Sequence, residues 1–141
     1  MTGISIEKCV IIVDEALPAG VQANTAAILG MTLGRLAPEL VGPDAVDKSG
    51  VRHPGIVQLP VPILRTNGDG LRELRAHLLE EEFADLLYVD FSDVAQCCNQ
   101  YDEYLAKAAE TAENDHRYFG LALGGSKKKV NRLTGNLPLL R

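Results

Sequence analysis

The chain has no tryptophan, and its aromatic content is only 5% over 141 residues. A surface that reads single-stranded nucleic acid needs rings on which bases can stack, so this composition argues against one. Positive charge is also short: 14 Lys and Arg face 19 Asp and Glu, for a net charge of −5. Such a balance gives no long-range attraction to phosphate backbones or anionic lipid. A tRNA partner would have to rest on one local patch, Lys127-Lys128-Lys129 with Arg132. No apolar run reaches the roughly 18 residues of a membrane span. Met1 to Lys8 lacks the basic-then-apolar layout of a secretory signal. The expectation is a cytoplasmic protein with no membrane partner.

Cysteine is scarce and odd in number, three in all, with Cys97 and Cys98 adjacent. That is a poor disulfide framework and fits a reducing compartment. Vicinal cysteines lack the spacer of a zinc knuckle, so no metal site is expected and the thiols are read as buried or inert. The three histidines, His53, His77 and His116, show no H-E-x-x-H spacing. His77 and His116 are read as surface residues, and His53, in a loop before Pro54, as a possible ligand contact. Dinucleotide, P-loop and nucleophile-elbow motifs are all missing. No cofactor is expected, and no catalytic class stands out.

What is present is an ordinary globular composition, 46% hydrophobic and 23% charged, over a length that suits one α/β domain from 1 to 141. Cys9 to Val13 is a continuous β-branched run, the pattern of a strand covered on both faces. Leu17-Pro18-Ala19-Gly20 turns the chain into a helix over Ala19 to Leu36, rich in Ala and Gly and able to lie close to a sheet. Leu40 to Arg52 reads as a short hairpin or loop with Asp47-Lys48-Ser49-Gly50 as its turn. A second strand is expected over Ile56 to Leu64, at a sheet edge because Pro60 and Pro62 lack N–H donors. Thr66 to Gly70 is a turn. The helix after it carries Leu71, Leu74, Leu78 and Leu79 inward and Arg72, Arg75 and Glu80 to Glu82 outward. A third strand spans Leu86 to Phe91. A third helix, Asn99 to Asn114, turns Tyr101, Leu105, Ala108 and Ala112 to the core. A fourth strand, Tyr118 to Leu123, leads into Gly124-Gly125-Ser126, read as a turn bearing solvated lysines, with an apolar tail that packs down. Alternating strands and helices imply a three-layer sandwich around a mixed, mostly parallel four-stranded sheet.

Ligands of open α/β sheets bind beyond the carboxyl ends of strands. That places Asp14, Gly20, Asn24 and Thr25 at the first strand-to-helix junction and Asp90 and Asp93 at the end of the third strand. Asn24 and Thr25 stand out in a stretch otherwise made of Ala, Ile and Leu, either as catalytic or binding groups or as backbone hydrogen-bonders. Asp90 and Asp93 are candidate general bases or caps of the next segment. Lys127 and Lys128 are candidate anion contacts.

Several motifs act together. Lys8 to Val13, Leu17-Pro18-Ala19-Gly20, Asn24-Thr25-Ala26-Ala27 and Leu33-Gly34 form an opening. Leu40-Val41-Gly42-Pro43-Asp44, Gly55-Ile56 and Leu59 to Leu64 follow. Val89-Asp90-Phe91, Tyr101-Asp102-Glu103-Tyr104, Gly120 to Leu123 and Val130 to Gly135 complete the set. In this the chain resembles, over nearly its full length, a bacterial family of domains of unknown function (the one numbered 2000). That family is similar in fold to the type II peptidyl-tRNA hydrolases, small and often dimeric α/β domains with a mixed four-stranded sheet that cleave the ester between peptide and tRNA. The resemblance implies the fold. The hydrolases open their first helix G-K-x-A-A-Q-x-x-H-A, whereas here Val21 stands for the lysine, Thr25 for the glutamine and Ile28 for the histidine. Asp90 or Asp93 would match the aspartate of their D-A-G-x-T loop, interrupted here by the following segment. Three functions follow as expectations. The first is a small-molecule or peptide-like ligand held between Asp14, Asn24, Thr25 and Asp90 to Asp93, or an enzyme of changed chemistry at the same place. The second is residual hydrolysis of an aminoacyl- or peptidyl-tRNA ester. The third is a homodimer without catalysis, its interface built on the small-residue helix and the tail.

Overall fold

The computed structural model describes residues 6–141, so most of the Met1 to Lys8 segment read for a secretory signal lies outside them. The β-branched run becomes β1 (Lys8–Asp14), whose residues from Cys9 onward are buried. It is an inner strand of a four-stranded sheet ordered β4-β1-β6-β5, where β4 is Ile63–Thr66, β5 is Leu87–Ser92 and β6 is Tyr118–Gly125. Alternation along β1 sends Val10 and Ile12 to one face and Ile11 and Val13 to the other. On the first face they meet Leu71 and Leu74 of α2 (Gly68–His77) and Val130 of α5 (Lys127–Thr134). On the second they meet Leu29 and Leu33 of α1 (Ala19–Leu36). Helices on both faces of one sheet make the three expected layers.

The sheet is not mostly parallel. Only β1 and β4 run parallel, while β1–β6 and β5–β6 are antiparallel. A helix between two strands forces parallel pairing only when it crosses a sheet face. Between β5 and β6 lie α3 (Asp93–Gln96) and α4 (Tyr101–Glu110). α4 buries none of its residues, so the connection does not span a face and the chain returns antiparallel. The same fact corrects the third helix: Tyr101 is 71% exposed and Leu105 52%, so neither reaches the core. The second strand is shorter than expected and starts at Ile63, after both prolines. Its edge is covered by the tail, since Arg65 N–H donates to the Pro138 carbonyl at 3.0 Å and Leu140 N–H to the Ile63 carbonyl at 2.8 Å. Leu79 lies on the solvent side of the α2 exit rather than in the core.

The stretch after Gly125 is a helix, not a bare turn. Ser126 accepts the Lys129 N–H at 3.3 Å as an N-cap, and Val130 and Thr134 face inward. The hairpin holds, as β2 (Ala45–Val46) and β3 (Arg52–His53). Asp47 Oδ1 accepts the N–H groups of Ser49 and Val51, and Gly50 takes φ of 82° where a side chain would be strained.

Gly120 in β6 is the close contact between the sheet and α1. A Cβ there would lie 2.8 Å from the Ile12 carbonyl oxygen, 2.8 Å from Thr25 Cγ2 and 3.0 Å from Leu29 Cδ1. Absence of a side chain is what lets α1 sit down on the sheet. Gly120→Ala should therefore lower the free energy of unfolding by about 1–3 kcal/mol, the usual cost of overpacking. Urea denaturation measures it, and a neutral result would mean that α1 can ride outward freely.

Candidate functional site

Among the described residues, the outer edge of β5 has no strand partner. Its alternation divides it: Leu87, Val89 and Phe91 pack on the α1 side, while Asp90 accepts from Arg75 Nε of α2 at 3.1 Å. Arg75 also lies over the Tyr88 ring, 4.8 Å from its centroid, and only 13% of its side chain is exposed. It is a packed partner of Asp90, contrary to the solvated position expected of it.

Beside this edge, α1 and α4 stand apart and leave a cleft of about 390 Å³. Ile28, Val89 and Phe91 give it an apolar floor; Thr32, Asp90, Asn99, Gln100, Tyr101 and Tyr104 bring polar groups to its walls. The two tyrosine rings meet edge-on, with centroids 5.4 Å apart. Burial, and then the Asp90 carboxylate, hold the Tyr104 phenol above its ordinary range. The hydroxyl therefore stays a neutral donor at physiological pH. A concave apolar surface with a few convergent polar groups is the usual form of a small-ligand site. A more polar hollow, about 570 Å³, lies between α2 and α5 and is lined by Asp69, Glu73, His77 and Arg132 among others.

A second group gathers where β1 and β5 end and β6 begins. Asp14, with 3% of its side chain exposed, accepts the Ala16 N–H at 2.9 Å and faces Arg117 Nη2 at 3.4 Å. Asp93 Oδ1 accepts the Arg117 N–H at 3.0 Å. Ser92 Oγ and His116 Nδ1 are 3.0 Å apart, and the His116 ring stacks on Tyr118. Ser92 is only 3% exposed and caps α3 by accepting the Val94 N–H. The pair thus resembles a nucleophile and base in composition but has no room for a substrate. His116 is half-buried, not the surface residue expected.

The expected site residues are distributed as follows. Asp14, Thr25 and Asp93 are near the sheet end, and Asp90 lines the cleft. Asn24 and Gly20 are exposed on the first turns of α1. Thr25 is fully buried against Gly120, with no partner for Oγ1. His53 Nε2 bonds Asp47 Oδ2 at 2.8 Å in the hairpin. Lys127 and Lys128 are exposed on α5, in the layer opposite α1. Among the described residues no cluster of three His, Cys, Asp or Glu could hold a metal, and no helix is long and apolar enough to cross a membrane. Tyr101, Tyr104, Asn99 and Gln100 were missed because they were assigned to a core helix and its approach; the tyrosines' spacing of three on a charged helix was the available signal.

An α/β/α domain with one uncovered sheet edge and a cleft beside it is thus defined. Residues 7–141 match the family described as "Protein of unknown function (DUF2000)", and the chain belongs to it. A solved structure of the protein of unknown function Atu0240, from Agrobacterium tumefaciens strain C58, is similar to the chain at 18% identity with a TM-score of 0.85. The match covers 95% of this chain and 97% of that one. No curated protein matches.

Two measurements test the electrostatics and packing. Thr25→Val removes a buried hydroxyl that has no partner and should raise stability by about 1 kcal/mol, since an unsatisfied buried group costs that or more. A loss instead would mean that the hydroxyl is bonded in solution. Tyr118 is held above the ordinary tyrosine range by burial first, then by its hydrogen bond to Glu113 and by Asp90. The folded state therefore favours the neutral phenol. Its contribution is complete below the unfolded value of about 10 and is lost as pH rises through the higher folded value. Unfolding free energy should fall above about pH 10 more steeply in the wild type than in Tyr118→Phe; parallel slopes would refute the assignment.

Proposed function

We propose that the chain is a ligand-binding domain whose cleft between α1 and α4 takes a small molecule or peptide-like ligand. The observation that carries this reading is the lining itself. Tyr101, Tyr104 and Phe91 supply rings and Asn99, Gln100, Thr32 and Asp90 supply donors and acceptors around one hollow of about 390 Å³. Ligand pockets commonly fall between roughly 300 and 1,000 Å³. The unpaired edge of β5 adds a reason to favour a peptide-like group, because an extended backbone can extend a sheet. Asp90 is the charged group at this place, and its bond to Arg75 sets its orientation. It would accept from a ligand amine or amide.

The test is a thermal-shift panel of amino acids, dipeptides, nucleotides and deacylated tRNA. A ligand at 100 times its dissociation constant stabilises the fold by about 2.7 kcal/mol. The shift should vanish in Tyr104→Ala and in Thr32→Trp, which fills the cleft, while both variants keep their melting temperature without ligand. A hit that survives both substitutions would move the site elsewhere.

A second reading, hydrolysis of an aminoacyl- or peptidyl-tRNA ester on a type II peptidyl-tRNA hydrolase-like fold, is supported by the mixed four-stranded sheet and by the run Gly20 to Leu29. Fold alone does not carry activity. Val21, Thr25 and Ile28 offer no ionisable group, and Lys129 and Arg132 are tied to Asp85 and Glu82. Cleavage of a labelled peptidyl-tRNA that is abolished by Lys127→Ala with Lys128→Ala would favour this reading over the first.

A further inference from the structure

The vicinal cysteines are neither buried nor isolated from charge. At the end of α3, Cys97 is exposed and Cys98 is half-buried and lines the cleft. Their sulfurs converge on one acceptor, the Val94 carbonyl oxygen, at 3.4 Å from Cys97 and 3.2 Å from Cys98. From α4, Lys107 Nζ approaches Cys97 Sγ to 3.1 Å. Burial, as expected of the thiols, is seen for Cys9 in the core and not for this pair.

We propose that Cys97 and Cys98 form a thiol redox site for hydroperoxides, with Cys97 as the attacking sulfur, Cys98 as the resolving one and Lys107 as the residue that positions the thiolate. The asymmetry of the contacts assigns the roles. An ammonium donor beside one sulfur favours its thiolate, the reactive form. Losing its proton costs Cys97 its bond to the Val94 carbonyl and strengthens the one from Lys107. Contact with Cys97 is first among the causes that hold the Lys107 ammonium above its ordinary range. Burial, and then contact with the Cys97 side chain, push the Cys98 thiol up, so Cys98 keeps its proton until it resolves. Asp93 and Glu103 also stand near the pair and oppose additional negative charge.

In the first step the Cys97 thiolate attacks the terminal oxygen of the hydroperoxide. The O–O bond breaks, Cys97 becomes a sulfenic acid, and the alkoxide or hydroxide leaves with a proton from solvent. In the second, the Cys98 sulfur attacks the Cys97 sulfur, an S–S bond forms, and the hydroxyl departs as water with the Cys98 proton. Two thiols are oxidised and one peroxide is reduced. Adjacent Cα atoms are about 3.8 Å apart across a trans peptide, less than the roughly 4.4–6.8 Å of relaxed disulfides. The product is therefore strained and readily reset by an external dithiol.

The full chain is treated with hydrogen peroxide, unfolded in denaturant so that Cys9 is accessible, alkylated without reduction and weighed intact. In the wild type, two of the three cysteines should escape alkylation, in a monomer lighter by two hydrogens. Cys98→Ser should stop at a Cys97 sulfenic acid that a dimedone probe captures, and Cys97→Ser should give neither product. Lys107→Met should slow the reaction about tenfold at neutral pH, and Lys107→Arg, which keeps the charge, should restore most of the rate. A Cys97 that reacts no faster than free N-acetylcysteine, a disulfide linking two chains, or a rate unchanged in Lys107→Met would overturn the proposal.

Discussion

The rest of the structure depends on β6 being covered on both faces while remaining thin. All of its residues from Tyr118 to Gly125 are buried, and it bonds to β1 on one side and β5 on the other. A strand in that position must supply apolar contact to two helical layers at once. Leu121 and Leu123 do so toward α2 and α5, while Gly120 and Ala122 keep the opposite face shallow enough for Leu29 and Leu33 of α1. The close approach fixes where α1 lies, and with it one wall of the cleft. Ile28 and Thr32 reach that wall because they sit one helical face round from Thr25 and Leu29, which are pinned to the sheet.

Much of this was legible from the sequence. Continuous β-branched and leucine runs are unambiguous for buried strands, so β1, β5 and β6 lie within a residue or two of their expected ranges. α1 coincides with its expected span because Pro18 opens it and Pro38 follows its end. Strand direction was not legible. Helical periodicity between Ser92 and Tyr118 shows that helices exist there but not whether they cross a face. α5 was hidden because three successive lysines obscure a periodicity of only two inward residues, Val130 and Thr134.

The candidate site was only partly legible, for a related reason. Asp90 could be singled out as a lone charge in an apolar strand. Its partners Arg75 and Tyr104, on α2 and α4, meet it only through the folded chain. The carboxylates at the sheet end illustrate the converse. Asp14 and Asp93 have the residue type of general bases, yet each receives a backbone N–H and borders Arg117. Position at a strand terminus identifies both roles equally, and only the donors around each oxygen separate them.

The tail that lies along β4 also limits how copies of this protein can associate. A sheet normally offers two edges, so edge-to-edge association can continue indefinitely and end in a fibre. Here Pro138 and Leu140 occupy the backbone groups of one edge. Association through the other, β5 against β5 about a two-fold axis, would bring two closed edges to the outside. Growth along the sheet would then stop at two molecules, with polymerisation prevented by the connectivity of the chain rather than by surface charge.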